Sequence, residues 1–133
     1  MPGAVLLVDD NAVQAAVRQT ILKRDGMDVY VALSPDRALE RFAENDFPLA
    51  VGLVLTDHLM PGMNGAEFVS RLRQISPDLP VLVISGMDEA ESEYAEFGVT
   101  FRTKPLLPED LLSLVRKLLG SSQVGVGAGA PAA

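Results

Sequence analysis

The sequence contains no cysteine, no tryptophan and a single histidine. Without cysteine, disulfide bridges, thiolate metal sites and cysteine nucleophiles are excluded. No apolar run approaches the roughly 20 residues that a membrane-spanning helix needs. The apolar run at residues 5–8 stops at Asp9, and no basic segment precedes it, so we expect no secretion signal. These absences predict a cytoplasmic protein that makes no contact with a membrane.

Positive charge is also scarce, with 11 Lys and Arg against 18 Asp and Glu and a formal net charge of -7 at pH 7. A chain of this charge repels a phosphate backbone, which argues against direct binding to nucleic acid. Metal cations and basic partner surfaces remain compatible with it. Aromatic residues make up only 5% of the 133 residues, so the core must consist of aliphatic side chains and methionine.

Short apolar runs alternate along the chain with amphipathic segments, and this alternation predicts the fold. The predicted strands are residues 4–8, 28–32, 51–56, 81–84 and 99–102. The predicted helices are residues 11–25, 34–45, 66–75, 89–97 and 108–119, of which the fourth is weak and short. Strands that are each followed by a helix form a parallel sheet covered on both faces. Because such crossovers are right-handed, we predict an α/β fold with a doubly wound, five-stranded parallel sheet.

Composition divides the chain into two parts. Residues 1–120 contain every predicted strand and helix and are expected to form one domain. Residues 121–133 are mostly Gly, Ala and Ser, and such a segment cannot bury enough apolar surface to order itself. We therefore predict a flexible tail.

In the first helix, the apolar face is expected to contain Val13, Val17, Ile21 and Leu22.

Polar side chains stand where the predicted strands end. Asp9 and Asp10 follow the first strand, and Asp57 follows the third. Ser85-Gly86 follows the fourth strand, and Lys104-Pro105 follows the fifth. Ligands of open α/β sheets bind beyond these carboxyl ends. We therefore expect three carboxylates, a hydroxyl and an ammonium group to share one edge of the sheet.

Three carboxylates at one place require a compensating charge. Two carboxylates about 4 Å apart repel each other by roughly 4 kcal/mol at an effective dielectric constant near 20. A hard divalent cation with oxygen ligands removes this repulsion, which predicts bound Mg²⁺, with Mn²⁺ as an alternative. An acyl phosphate on Asp57 would leave the site near about -1 with the metal and near about -3 without it. The charges therefore indicate a site that accepts a phosphoryl group when the metal is bound.

These residues resemble the receiver domain of two-component response regulators. The match lies in Asp9-Asp10, in Asp57 within TDHLMPGMNG, in Ser85-Gly86 and in Lys104-Pro105, in the same order and at the same strand ends. The resemblance covers about residues 4–119 and implies a flavodoxin-like sheet of strand order 2-1-3-4-5. It implies a phospho-acceptor that promotes its own phosphorylation, not an enzyme with a substrate of its own. The donor would be a histidine kinase or a histidine phosphotransfer protein, and the downstream partner stays undefined.

The resemblance also assigns the acceptor and the metal ligands. Asp57 would be the phospho-acceptor. Asp10, Asp57 and the backbone carbonyl of Leu59 would bind Mg²⁺ directly, and Asp9 would act mainly through a metal-bound water. The acyl phosphate on Asp57 would thus form beside the metal.

The remaining site residues follow from the same resemblance. Lys104 would pair with the phosphoryl oxygens, and its bond to Pro105 is expected to be cis. Ser85 would move to hydrogen-bond the phosphoryl group, and Phe101 would swing inward with it. Gly86 would leave room for the phosphoryl group.

Two features depart from the family pattern. The segment FPLAVG before the third strand is longer than usual, and the chain between Ser85 and Lys104 is a few residues short, which puts the fourth helix in question. Leu59 and Met87 stand where the family tunes the access of water to the acyl phosphate. Because both are apolar, slow self-dephosphorylation is expected.

Other interpretations stay open. A receiver-like binding module would use the fold without phosphorylation. An aspartyl-phosphate phosphatase usually has a second Asp two residues after its nucleophile, where this chain has Leu59. His58 adjoins Asp57, but the alternation of side chains along a strand points it to the other face, so no chemical role is expected. Leucines in excess of one stripe on the last helix would suit a homodimer.

Overall fold

The computed structural model describes residues 3–47 and 49–126. Its strands are β1 Ala4–Val8, β2 Val29–Ala32, β3 Val51–Asp57, β4 Val81–Ser85 and β5 Thr100–Thr103. Its helices are α1 Ala12–Arg24, α2 Pro35–Ala43, α3 Gly65–Ile75 and α4 Pro108–Val126, with a 3-10 helix at Asp88–Tyr94 between β4 and β5. Within these ranges, no helix combines the length and the apolar character needed to cross a membrane.

The five strands form one parallel sheet of order β2-β1-β3-β4-β5, as predicted. In register, Val8 lies beside Thr56, and Asp57 lies beside Ile84. The carboxyl ends of β1, β3 and β4 therefore meet at one edge. This is the edge at which the polar residues were expected.

Two apolar cores cover the two faces of the sheet. On one face, strand residues pack against α2, α3 and the 3-10 helix through side chains such as Ala38, Phe68 and Tyr94. On the other face, strand residues pack against α1 and α4 through side chains such as Leu22 and Val115. Because side chains alternate along a strand, consecutive residues at a strand end face different cores.

The helices begin where short polar side chains cap them. Asn11 accepts a hydrogen bond from the backbone N of Gln14 at 3.0 Å, and Ser34 accepts one from Arg37 at 3.1 Å. Asn64 caps α3 by accepting a hydrogen bond from the backbone N of Glu67 at 2.9 Å. These bonds satisfy backbone donors that have no partner inside the helix. They fix the start of each helix next to the edge that carries the polar residues.

Glycine at position 65 lets α3 begin against the end of β3. A Cβ atom there would lie 2.8 Å from the carbonyl oxygen of Asp57 and 3.0 Å from the Cα of His58, and it would also collide with the hydroxyl of Tyr94. Helix α3 accordingly begins at Gly65, one position before the predicted start. This close approach ties the loop after Asp57 to the 3-10 helix.

The structure can be compared with three sequence-based expectations about the helices. The predicted fourth helix is a 3-10 helix, in agreement with the shortened segment. The predicted apolar face of α1 is wrong for Val13 and Val17, which are 74% and 53% exposed, whereas Leu22 is buried as expected and Ala15 is buried although it was not predicted. Helix α4 continues to Val126, past its predicted end at residue 119, and the rest of the expected tail, residues 127–133, lies outside the described residues.

Candidate functional site

Two carboxylates are buried at the ends of adjacent strands. Asp9 follows β1 and is 1% exposed, and Asp57 is the last residue of β3 and is 4% exposed. Asp9 accepts a hydrogen bond through Oδ1 from the backbone N of Asn11 at 2.9 Å. Buried carboxylates require hydrogen bonds or cations to offset the loss of water. The partners of these two come mainly from α1 and from the loop after β5.

Gln14 joins the two carboxylates. Its Nε2 donates to Asp9 Oδ2 at 2.6 Å and to Asp57 Oδ2 at 2.7 Å. One nitrogen therefore lies between an oxygen of each acid. The side chains of Asp9 and Asp57 converge on a common point although 47 positions of chain separate them, which follows from the pairing of β1 with β3.

Two cationic side chains contact the other oxygen of Asp57. Lys104 Nζ lies 3.2 Å from Asp57 Oδ1, and Arg18 Nη1 lies 3.4 Å from the same oxygen. Arg18 Nη1 also lies 3.5 Å from Asp9 Oδ2. Lys104 additionally donates to the amide oxygen of Gln14 at 3.3 Å. Acids and bases thus form one connected network in which every Asp57 oxygen has a partner.

The loop that carries Lys104 is held to β4. The backbone N of Lys104 donates to the carbonyl of Ser85 at 2.7 Å, and the Lys104-Pro105 peptide bond is cis, as expected. This contact places the ammonium group beside the strand that ends in Asp57. The side chain of Lys104 is 36% exposed, so it reaches the site from the solvent side.

Burial raises the pKa of Asp57 above its ordinary value. The charge of Arg18 opposes this rise, the charge of Asp9 adds to it, and the charge of Lys104 opposes it. Desolvation is the largest of these effects, because a carboxylate loses much of its hydration in the interior. The resting site therefore contains an anion for which the chain's own cations only partly compensate.

The predicted switch residues are buried on β4 and β5. Ser85 is 3% exposed, and its Oγ accepts from the backbone N of Met87 at 3.0 Å and donates to the carbonyl of Met87 at 3.4 Å. Phe101 is 8% exposed and its ring lies 5.7 Å from that of Tyr94. Gly86 is exposed, and a Cβ at this position would meet nothing within 4 Å. Space for a bound group is therefore present next to Ser85.

Other expected site residues lie further out. Asp10 is exposed, and among the described residues its side chain makes no hydrogen bond or ion pair. Leu59 is 63% exposed and Met87 is half-buried. The structure thus brings Asp9, Asp57 and Lys104 together and leaves Asp10 at the rim. The division of metal contacts between Asp9 and Asp10 stays a prediction.

Gln14 and Arg18 were not predicted from the sequence. They stand one helical turn apart on α1, shortly after the acidic pair, and this i, i+4 spacing places both on one face of the helix. That spacing was the available signal. The sequence pattern instead favours an apolar face that includes Val13 and Val17.

His58 points to the face of the sheet that α2, α3 and the 3-10 helix cover, where it contacts Tyr94. It is 3% exposed, and its Nδ1 lies 2.6 Å from the hydroxyl oxygen of Tyr94. Its Nε2 lies 3.7 Å from a carboxylate oxygen of Glu93. Burial raises the pKa of Tyr94 far above its ordinary value, so this hydroxyl stays protonated. The pair connects the residue after Asp57 to the 3-10 helix, and Tyr94 in turn contacts Phe101.

The donor set fits a small hard cation. Within the described residues, no three acidic or histidine side chains stand together in a metal-binding arrangement. Two carboxylates do converge, however, and an N–H donor occupies the point between their oxygens at 2.6 Å and 2.7 Å. A cation would satisfy the same oxygens, with water and the exposed Asp10 completing a ligand set made only of oxygen.

The parallel sheet, its strand order and the acid–lysine network at its carboxyl edge define the class of signalling domain that the sequence resembles. The chain belongs to the response regulator receiver domain family, which it matches over residues 5–116.

Individual relatives agree with this assignment. The chain is 35% identical to the response regulator MprA of Mycolicibacterium vanbaalenii over 137 aligned positions, which cover 100% of this chain and 57% of that protein. It is 38% identical over 62% of its length to the autoinducer 1 sensor kinase/phosphatase LuxN of Vibrio campbellii, of which the match covers 9%. The chain therefore spans little more than half of the first relative and a small part of the second.

Solved structures share the fold. A CheY-like response regulator receiver domain protein from Methanospirillum hungatei superimposes with a TM-score of 0.84 at 24% identity, over 94% of this chain and 99% of that one. At this level of identity the likeness concerns the fold alone. It matches the flavodoxin-like sheet described above.

Proposed function

We propose that this receiver domain accepts a phosphoryl group on Asp57 from a phosphohistidine of a histidine kinase or a histidine phosphotransfer protein in the cytoplasm. Mg²⁺, or Mn²⁺ in its place, would assist, and phosphorylation would switch a partner-binding surface. The observation that carries this proposal is the network around Asp57. A buried carboxylate shares Gln14 with Asp9 and contacts Lys104 at 3.2 Å.

The chemistry required of Asp57 is nucleophilic attack. One carboxylate oxygen attacks phosphorus, a carbon–oxygen–phosphorus linkage forms, and the nitrogen–phosphorus bond of the donor breaks. The electron pair of that bond leaves with the imidazole, which takes up a proton. Lys104 reaches the Asp57 carboxylate and is positioned to stabilise the phosphoryl oxygens. The backbone and β-sheet hold the attacking oxygen in place, which lowers the entropic cost of the reaction.

Asp9, Asp10, Asp57 and the carbonyl of Leu59 are the residues that would hold the divalent cation. When bound, the cation would supply positive charge to the transferring phosphoryl oxygens. Asp9 and Asp57 already converge, and Gln14 would release their oxygens as the cation enters.

The switch would pass through Ser85 and Phe101. The hydroxyl of Ser85 is engaged with the backbone of Met87, so binding a phosphoryl oxygen requires it to exchange those bonds. Phe101 is buried and touches Tyr94, which belongs to the 3-10 helix. Met87 directly precedes the 3-10 helix, so a shift of Ser85 would reach that helix through the backbone of Met87. The contact of Tyr94 with Phe101 would carry the shift on to β5.

The donor would dock on α1. Val13 and Val17 are exposed on the same helix that sends Gln14 and Arg18 into the site. Adjacent exposed valines offer apolar contact area next to the acceptor. A partner bound there would place its phosphohistidine within reach of Asp57.

Incubation with acetyl phosphate and Mg²⁺, followed by intact mass measurement, tests the proposal. Wild type is expected to gain the mass of one phosphoryl group, and Asp57→Asn is expected to gain none. Asp28→Asn is the matched control, because Asp28 is exposed and precedes β2 at the opposite edge of the sheet. A wild-type protein that stays at its unmodified mass, or an Asp57→Asn variant that gains the group, contradicts the proposal.

A further inference from the structure

Arg18 is a charged side chain with no role in the function proposed so far. It extends from α1 into the site, where its side chain is only 12% exposed. Its Nη1 lies 3.4 Å from Asp57 and 3.5 Å from Asp9. Among the described residues, these two carboxylates are its only ion-pair partners.

The burial of a guanidinium group has to be offset by the groups it meets. Arginine loses hydration when it leaves solvent, and only anions or hydrogen-bond acceptors make up for this loss. Here the acceptors belong to the phospho-acceptor and to its neighbouring acid. The guanidinium of Arg18 therefore finds its charged partners in the reaction site.

Arg18 changes the formal charge of the site in each of its states. Asp9, Asp10 and Asp57 oppose Lys104 and Arg18, so the resting site has a formal charge of about -1. A divalent cation brings this to about +1, and a phosphoryl group on Asp57 then brings it to about 0. Without Arg18 the same three states would be about -2, 0 and -1. Arg18 thus moves neutrality from the metal-loaded resting site to the metal-loaded phosphorylated site.

The geometry agrees with this count. Arg18 and Lys104 both approach Oδ1 of Asp57, at 3.4 Å and 3.2 Å. A phosphoryl group attached to this carboxylate lies within reach of both cations. A guanidinium is a planar donor fork that suits phosphoryl oxygens, whereas an ammonium acts as a point charge.

We propose that Arg18 is a second phosphoryl-directed cation, which weakens divalent cation binding to the resting site and stabilises the phosphoryl group once it is present. This inference rests on the proposed function. Arg18 is a residue of α1 that contacts the transferred group directly.

Calorimetric titration tests this role without any turnover. Mg²⁺ is titrated into wild type, Arg18→Met, Arg18→Lys and Arg24→Met, first alone and then with beryllofluoride as a phosphoryl mimic. Arg24→Met is the matched control, since Arg24 is exposed near the end of the same helix. Arg18→Met is expected to bind Mg²⁺ alone about tenfold tighter than wild type. It is expected to bind beryllofluoride at saturating Mg²⁺ about tenfold more weakly.

The other variants sharpen the outcome. Arg18→Lys is expected to keep the wild-type affinity for Mg²⁺ alone, because it keeps the charge, and to bind beryllofluoride less tightly than wild type, because it loses the planar donor fork. Arg24→Met is expected to match wild type. If Arg18→Met does not fold, Arg18→Gln makes the same comparison with a polar side chain. Equal or weaker Mg²⁺ binding by the neutral variants overturns the role of Arg18. Wild type that binds neither Mg²⁺ nor beryllofluoride overturns the proposed function itself, so the two failures are distinguishable.

Discussion

Tyr94→Phe removes one oxygen atom from the interior and tests how the residue after Asp57 is joined to the 3-10 helix. The lost atom lies 2.6 Å from Nδ1 of His58, and the two side chains are 2% and 3% exposed. The ring itself is kept, so its contact with Phe101 at 5.7 Å is expected to persist. The change therefore isolates a single hydrogen bond.

The expected loss of stability follows from the burial of the His58 ring nitrogen. Leaving a buried nitrogen without its partner costs about 1–3 kcal/mol of the free energy of unfolding. For a domain of this size, each kcal/mol moves Tm by about 3–6 °C. Thermal unfolding followed by circular dichroism is expected to show a fall in Tm of roughly 3–18 °C.

Tyr30→Phe is the control for this experiment. The hydroxyl of Tyr30 accepts a hydrogen bond from the backbone N of Leu49 at 2.8 Å, in a loop where water can replace it. Its loss is expected to cost below about 1 kcal/mol. Equal destabilisation by the two substitutions would refute the view that the bond between His58 and Tyr94 ties the acceptor strand to the 3-10 helix.

Three further predictions concern the site. Burial raises the folded pKa of Asp57 above its unfolded value, so its ionisation destabilises the metal-free protein. Asp57→Asn is therefore expected to unfold at higher urea than wild type at neutral pH with a chelator. This advantage should shrink as the pH falls through the raised pKa of Asp57, and an advantage that stays constant with pH would contradict it. Gly65→Ala brings a methyl group within 2.8 Å of the Asp57 carbonyl and is expected to cost about 1–3 kcal/mol in urea unfolding, whereas a neutral effect would show that α3 can shift freely. Leu59→Ala and Met87→Ala are expected to shorten the lifetime of the acyl phosphate, measured as loss of phosphorylated mass, while Leu33→Ala, which also removes an exposed leucine, leaves it unchanged. Unchanged lifetimes in the first two variants would exclude their shielding role.

Much of the fold was predictable because β1, β3 and β4 are almost continuous apolar runs. Such runs are buried on both faces of a parallel sheet, and their positions show directly in the sequence. The ends of helices were less predictable. The last helix is predicted to end at residue 119, but α4 continues through Gly120. Among the described residues, the glycines with positive φ are Gly26, Gly62 and Gly98, so Gly120 lacks the backbone conformation with which glycine ends a helix.

The sequence also did not show how the leucines of α4 are used. Leu111 and Leu119 are buried, while Leu112, Leu114 and Leu118 are half-buried and pack against the core shared with α1. The surplus seen in the sequence is largely used within the chain. A homodimer through this helix stays a prediction.

Some residues of the site could likewise be predicted from the sequence and others could not. Asp9, Asp57 and Lys104 could be placed together because they follow strand ends, whose position in the sheet is fixed by topology. Gln14 and Arg18 depend on how α1 is rotated about its axis, and its mixed composition does not determine that rotation. Tyr94 depends on a 3-10 helix whose path follows no simple periodicity.

The central claim is that Asp57, and not a neighbouring acid, carries the phosphoryl group. Localising the group tests it most directly. After incubation with acetyl phosphate and Mg²⁺, borohydride reduces an acyl phosphate to an alcohol, which tandem mass spectrometry of the digested protein assigns to one residue. We predict reduction at position 57 alone. Reduction at Asp9 or Asp10, or at no residue, would contradict the account.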